Sequence, residues 1–62
     1  MSTTIQAVAK PFSGHPRSTY TFRVDADGTV RVWDSIAGHY TTCHSMAPAA
    51  LRRIRAMAEA QS

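Results

Sequence analysis

One cysteine, Cys43, is all that a chain of 62 residues contains. No disulfide can therefore form within the chain, which argues against a secreted disulfide scaffold and fits a reducing cytoplasm. Acidic residues are scarce as well, four against seven lysines and arginines, for a net charge of +3 and an isoelectric point near 9.8. Apolar residues are interrupted at strand and helix periods, so no membrane span is expected. Residues 1–10 lack an early basic region followed by an apolar run, the pattern of a secretory leader. Three glycines are too few and too scattered for a phosphate-cradling loop, and no pair of carboxylates is spaced for acid–base work. At this length one domain is the limit, and such a domain buries only about 60% of the surface its unfolded chain exposes.

What the chain does have is a clear hairpin. Tyr20, Phe22 and Val24 alternate with Thr19, Thr21 and Arg23, the period-two mark of a strand with one buried face. Val30 and Val32 continue the buried set in a second strand running through Thr29-Val30-Arg31-Val32-Trp33, and Asp25-Ala26-Asp27-Gly28 has turn composition. If Phe22 and Val32 share a face, paired residues must have numbers of equal parity. That excludes a two-residue loop and selects Ala26-Asp27-Gly28, a type I turn closed by a left-handed glycine. The resulting register sets Val24 opposite Val30, Phe22 opposite Val32, Arg23 opposite Arg31 and Thr21 opposite Trp33.

A third strand is expected at about residues 39–43, after a turn through Ser35-Ile36-Ala37-Gly38. Either Tyr40 and Thr42 or His39, Thr41 and Cys43 face the core, since a slip of one residue exchanges the sets. From Pro48 to about Ala60 the period becomes helical, with Ala47, Ala50, Leu51, Ile54, Met57 and Ala58 on one stripe. Pro48 suits the first helical position, making Ala47 the cap and placing Met46 and Leu51 for a hydrophobic staple. Ser45 is the competing cap, two residues earlier. Arg52, Arg55 and Glu59 fall on the outer face and Arg53 on its flank. Residues 1–17 read as an edge strand around Ile5 or as an arm, with Pro11 and Pro16 preventing a single continuous element. The compact unit is residues 18–62. Its core is Tyr20, Phe22, Val24, Val30, Val32, Leu51, Ile54 and Met57, with Ile5, Val8, Phe12 and Ile36 as further candidates. So small a core makes a homodimer a reasonable source of extra buried area.

The expected fold is thus α+β, a small three-stranded antiparallel sheet with one C-terminal helix packed on one face (β-β-β-α), with room for an extra N-terminal edge strand. This order is similar to that of small DNA-binding modules that lay a three-stranded sheet into the major groove.

The hairpin register puts Arg23 and Arg31 side by side on the open face, where like charges repel unless something screens them. Six of the seven cations are arginine, whose planar fork suits phosphates and guanine edges. Trp33 adds an aromatic surface, unless the N-terminal segment folds over it with Ile5, Val8 and Phe12. With Asp25 and Asp27 assigned to the turn and Asp34 to a strand end, the middle of the face reads as positive. Positive charge with an exposed aromatic is one way to bind nucleic acid, by phosphate contact and stacking. In that reading Arg23 and Arg31 contact phosphate or bases, Trp33 stacks, Thr19 and Thr21 make short hydrogen bonds, and Lys10, Arg17, Arg52, Arg53 and Arg55 add general attraction. DNA ranks ahead of RNA. The competing reading is a protein-interaction module, a small inhibitor or adaptor of the kind carried by phages or mobile elements, in which Trp33 and the two arginines meet an acidic partner. Solvated arginines, or a homodimer face, would account for the same residues.

His39, Cys43 and His44, with His15, hold metal-ligand chemistry, but strand residues four apart are separated by roughly 13 Å and neighbours point to opposite faces. A zinc ion needs its ligands within about 2.0–2.3 Å, so no metal site is expected. The same separation denies Cys43 a histidine base, and no enzyme activity or cofactor is expected.

Overall fold

Residues 2–12, 14–43 and 45–61 are described in the computed structural model. The elements run β1 (Thr3–Ala9), β2 (Ser18–Val24), β3 (Val30–Asp34), β4 (His39–Thr42) and α1 (Pro48–Gln61). The four strands pair in chain order, each antiparallel to the next, and the helix packs against one face of the sheet. The architecture is α+β, and the N-terminal strand is part of it. Among the described residues no helix is long and apolar enough to cross a membrane.

The β2–β3 hairpin follows from its loop. Phe22 pairs with Val32, Arg23 with Arg31 and Val24 with Val30. The Asp25 N–H donates to the Thr29 carbonyl and the Gly28 N–H to the Asp25 carbonyl, both at 2.9 Å. Gly28 has φ +88°, a conformation that a Cβ would make costly. Asp27 Oδ1 accepts the Thr29 N–H at 2.9 Å, and this bond holds the Asp27 carboxyl below its ordinary pKa.

β1 alternates cleanly: Ile5, Ala7 and Ala9 are buried, whereas Thr4, Gln6 and Val8 are exposed. It pairs along its whole length with β2, from Thr3 opposite Val24 to Ala9 opposite Ser18. Beyond it Pro11 is buried and Phe12 packs against the core, so the chain turns back over the apolar side. Val8, a core candidate by sequence, is 48% exposed on the other face, and Ile36 is 92% exposed in the β3–β4 turn. The small alanines of β1 go in because strand parity admits only one set, whatever its size. In the β3–β4 turn, Asp34 Oδ1 accepts the N–H groups of Ile36 and Ala37 at 3.0 and 3.1 Å, and its carbonyl accepts the Gly38 N–H at 2.7 Å. These bonds fold the turn outward and leave Ile36 at its tip.

In β4, Trp33 pairs with Tyr40 and Arg31 with Thr42. Tyr40 and Thr42 therefore share the open face, and the buried Cys43 belongs to the core side. In the connection to the helix, Met46 is buried in the core.

The first helical bond runs from the Leu51 N–H to the Ala47 carbonyl at 3.1 Å, so Pro48 is the first helical residue and Ala47 the cap. Ser45 does not cap: its hydroxyl donates to the Pro11 carbonyl at 3.3 Å and ties the connection to the N-terminal segment. Ala47 itself is exposed, outside the apolar stripe. Ile54 and Ala58 are buried, with Ala50, Leu51 and Met57 half-buried around them. Phe22 and Ile54 have no exposed surface, and burying each stabilises the fold by about 1.5–3 kcal/mol.

Candidate functional site

The register fixes the face of the sheet away from the helix. One row crosses all four strands as Thr4, Arg23, Arg31 and Thr42. Next to it lie Gln6 and Thr21 on β1 and β2 and the pair Trp33 and Tyr40 on β3 and β4. Val8 and Thr19 follow. Apart from Val8, the residues of this face are polar, basic or aromatic, because the other apolar residues of the strands are spent on the core side.

Arg23 and Arg31 do not face each other unscreened. Asp25 accepts from both, through Oδ1 to Arg23 Nε at 3.2 Å and through Oδ2 to Arg31 Nη1. The arginine side chains are 41% and 34% exposed and the aspartate 20%. The assignment of Asp25 to the turn alone, leaving the middle of the face simply positive, is corrected here: its backbone closes the loop while its side chain turns onto the open face. Parity is the signal that could have found it, since 23, 25 and 31 are all odd. Two cations and one anion leave a local charge of +1, and each guanidinium keeps N–H donors beyond those engaged by Asp25.

The charge runs on into the aromatic pair. The Arg23 guanidinium carbon lies 5.8 Å from the Tyr40 ring centroid, within cation–π range. Tyr40 and Trp33 meet edge to face, with centroids 5.2 Å apart and planes at 70°. Trp33 remains 43% exposed. The N-terminal segment does not cover it: Ile5 is buried on the helix side, Phe12 packs against the core, and Val8 lies on β1 beyond the intervening β2. Tyr40 is a member of this site that sequence reasoning missed, because the register of β4 was open.

The other sequence-derived candidates are elsewhere. Thr19 and Thr21 share the open face, whereas Lys10 and Arg17 flank the start of α1. Arg53 donates from Nη2 to the Val8 carbonyl and Arg55 from Nε to the Gly28 carbonyl, each at 2.7 Å, so both tie the helix to the sheet. Arg52 is exposed on the helix.

Cys43 is buried, and desolvation pushes its thiol up to about 11, which keeps it neutral near pH 7. His39 is exposed, with Nδ1 3.0 Å from the Tyr40 carbonyl. The His15 ring lies between Phe12 and Tyr20, at centroid distances of 5.2 and 6.3 Å. His44 lies outside the described residues. Among those described, no group of three histidine, cysteine or carboxylate side chains converges as metal ligands.

Comparison of the chain with protein-family models, with curated proteins and with solved structures finds no match.

Proposed function

We propose that this chain is a small, non-catalytic nucleic-acid-binding protein of the cytoplasm that uses the open face of its sheet. The observation that supports the reading is the continuous run of Arg31, Arg23, Tyr40 and Trp33 across three strands, polarised at one end by Asp25. Phosphates meet the remaining guanidinium donors, bases stack on Trp33 and Tyr40, and Thr19, Thr21 and Gln6 offer short-range hydrogen bonds. Asp25 holds the two forks apart and oriented, so the face need not rearrange to accept an anion. Lys10, Arg17 and the helix arginines add long-range attraction.

Ile36 favours a second reading. At 92% exposure on the turn that joins the Trp33 and Tyr40 strands, it gives the face an apolar tip, which suits an acidic protein partner or a second copy of the chain.

Binding of labelled single-stranded DNA, double-stranded DNA and RNA at low and physiological salt separates the two. The expected result is salt-sensitive binding, DNA first, that is lost in an Arg23→Ala/Arg31→Ala double variant with unchanged fold. Absence of binding to all three at low salt removes the nucleic-acid reading and directs attention to a partner captured through Trp33 and Ile36.

A further inference from the structure

A second concentration of positive charge lies on the helix side of the sheet. A cleft of about 500 Å³ opens where the end of β1, the residues entering β2 and the first turn of α1 meet, and Lys10, Arg17 and Arg53 line it. Among the described residues no acid lines it. Arg53 is held in place by its bond to the Val8 carbonyl. Lys10 and Arg17 are exposed, and among the described residues no carboxylate forms an ion pair with any of the three. Three like charges brought together from three segments raise the energy of the empty cleft and favour an anion in it. Ala49 and Ala50 also line the cleft. Their N–H groups precede the first helical bond, Ala47 has no side-chain oxygen to cap them, and the first turn holds no acid. They add donors to a cleft whose cations already define its chemistry.

We infer that this cleft binds a phosphoryl group. The two guanidinium forks match the spacing of phosphate oxygens and Lys10 supplies a point charge, so a group with several oxygens and up to two negative charges uses the site more fully than a single carboxylate does. The group belongs either to a free phosphate compound or to a nucleic-acid backbone. The site shares no residue with the Arg23, Arg31, Tyr40 and Trp33 run and stands whether or not that face binds nucleic acid.

The test is a titration of the full ¹⁵N-labelled chain with inorganic phosphate, and in a second arm with a short oligodeoxynucleotide lacking terminal phosphates, each against sodium chloride of equal ionic strength. The readout is the amide signals of Ala49 and Ala50 and the Nε signals of Arg17 and Arg53. Saturable shifts are expected, with affinity reduced about tenfold in a Lys10→Ala/Arg17→Gln variant whose melting temperature is unchanged. Saturation by phosphate assigns the site to a free phosphoryl compound. Saturation by the oligonucleotide alone, retained in the Arg23→Ala/Arg31→Ala variant, assigns it to a backbone phosphodiester. The inference is overturned by the absence of saturable shifts in both arms, by shifts that sodium chloride reproduces, by saturable shifts that Lys10→Ala/Arg17→Gln leaves unchanged, or, where phosphate does not saturate, by oligonucleotide shifts that vanish in the Arg23→Ala/Arg31→Ala variant.

Discussion

Arg23 and Arg31, paired directly across β2 and β3, grip opposite oxygens of the same carboxylate. A pair that would repel is thereby turned into a charged clamp with Asp25 as its hinge. Stability and binding then pull in opposite directions at this residue.

Asp25→Asn should lower stability by about 0.5–1.5 kcal/mol, since it removes two partly exposed ion pairs and restores the repulsion. The same change leaves the face with one more net positive charge, so affinity for nucleic acid and its salt slope should both rise. Thermal unfolding and a salt-dependent binding series on one preparation check the opposed signs.

Trp33→Ala should weaken binding by about 1–3 kcal/mol if a base stacks there. Stability should fall by only about 0.5–1.5 kcal/mol, the worth of the edge-to-face contact with Tyr40. Because Trp33 is the only tryptophan, its fluorescence in the unaltered chain reports binding directly.

Gly28→Val should cost roughly 1–2 kcal/mol or more, because a β-branched residue is forced to positive φ. Space is not the cause: a Cβ there would lie 3.6 Å from Arg55 Nε, an ordinary contact. Gly28→Asn, which tolerates that conformation better, should recover much of the loss in a thermal melt.

Ile54→Ala should cost about 2–5 kcal/mol, as expected for an aliphatic side chain with no exposed surface. A core this small supplies about 3–5 kcal/mol in all, so the variant should lose most of its stability, read by circular dichroism as a large drop in the thermal midpoint.

Burial raises the Cys43 thiol from an ordinary 9.0 to about 11. Below pH 9 both native and unfolded chains keep the proton. Between pH 9 and about 11 the unfolded chain releases it first, so stability should fall with rising pH across that window. Urea midpoints for the unaltered chain and Cys43→Ala should diverge there and run parallel at lower pH.

The hairpin was legible because two independent constraints agreed, the parity of Phe22 and Val32 and the glycine at 28. Where hydrophobic contrast is weak, sequence reading failed for a physical reason. In β4, His39, Tyr40, Thr41 and Thr42 offer no sharp division between faces, so only the pairing of Trp33 with Tyr40 decides the register. In β1 the larger Val8 drew attention from Ala7 and Ala9, which are the residues buried. Ile36 reads as core by type, yet the bonds of Asp34 hold it out in a turn. On the site, the arginine pair was readable from register, whereas Asp25 was hidden by a turn composition that accounted for it already. The tethers of Arg53 and Arg55 to backbone carbonyls join residues distant in sequence, and no local pattern encodes them.

The bond from Arg53 to Val8 bears on how the molecule avoids its own kind. β1 is an outer strand, seven residues long, and an outer strand of that length invites a neighbour to extend the sheet. With the guanidinium parked on the Val8 carbonyl, one rung of that ladder is occupied and any approaching strand meets a positive charge. Replacing Arg53 by a short neutral residue would open the rung, and the first sign would be assembly at high concentration before any loss of the folded monomer.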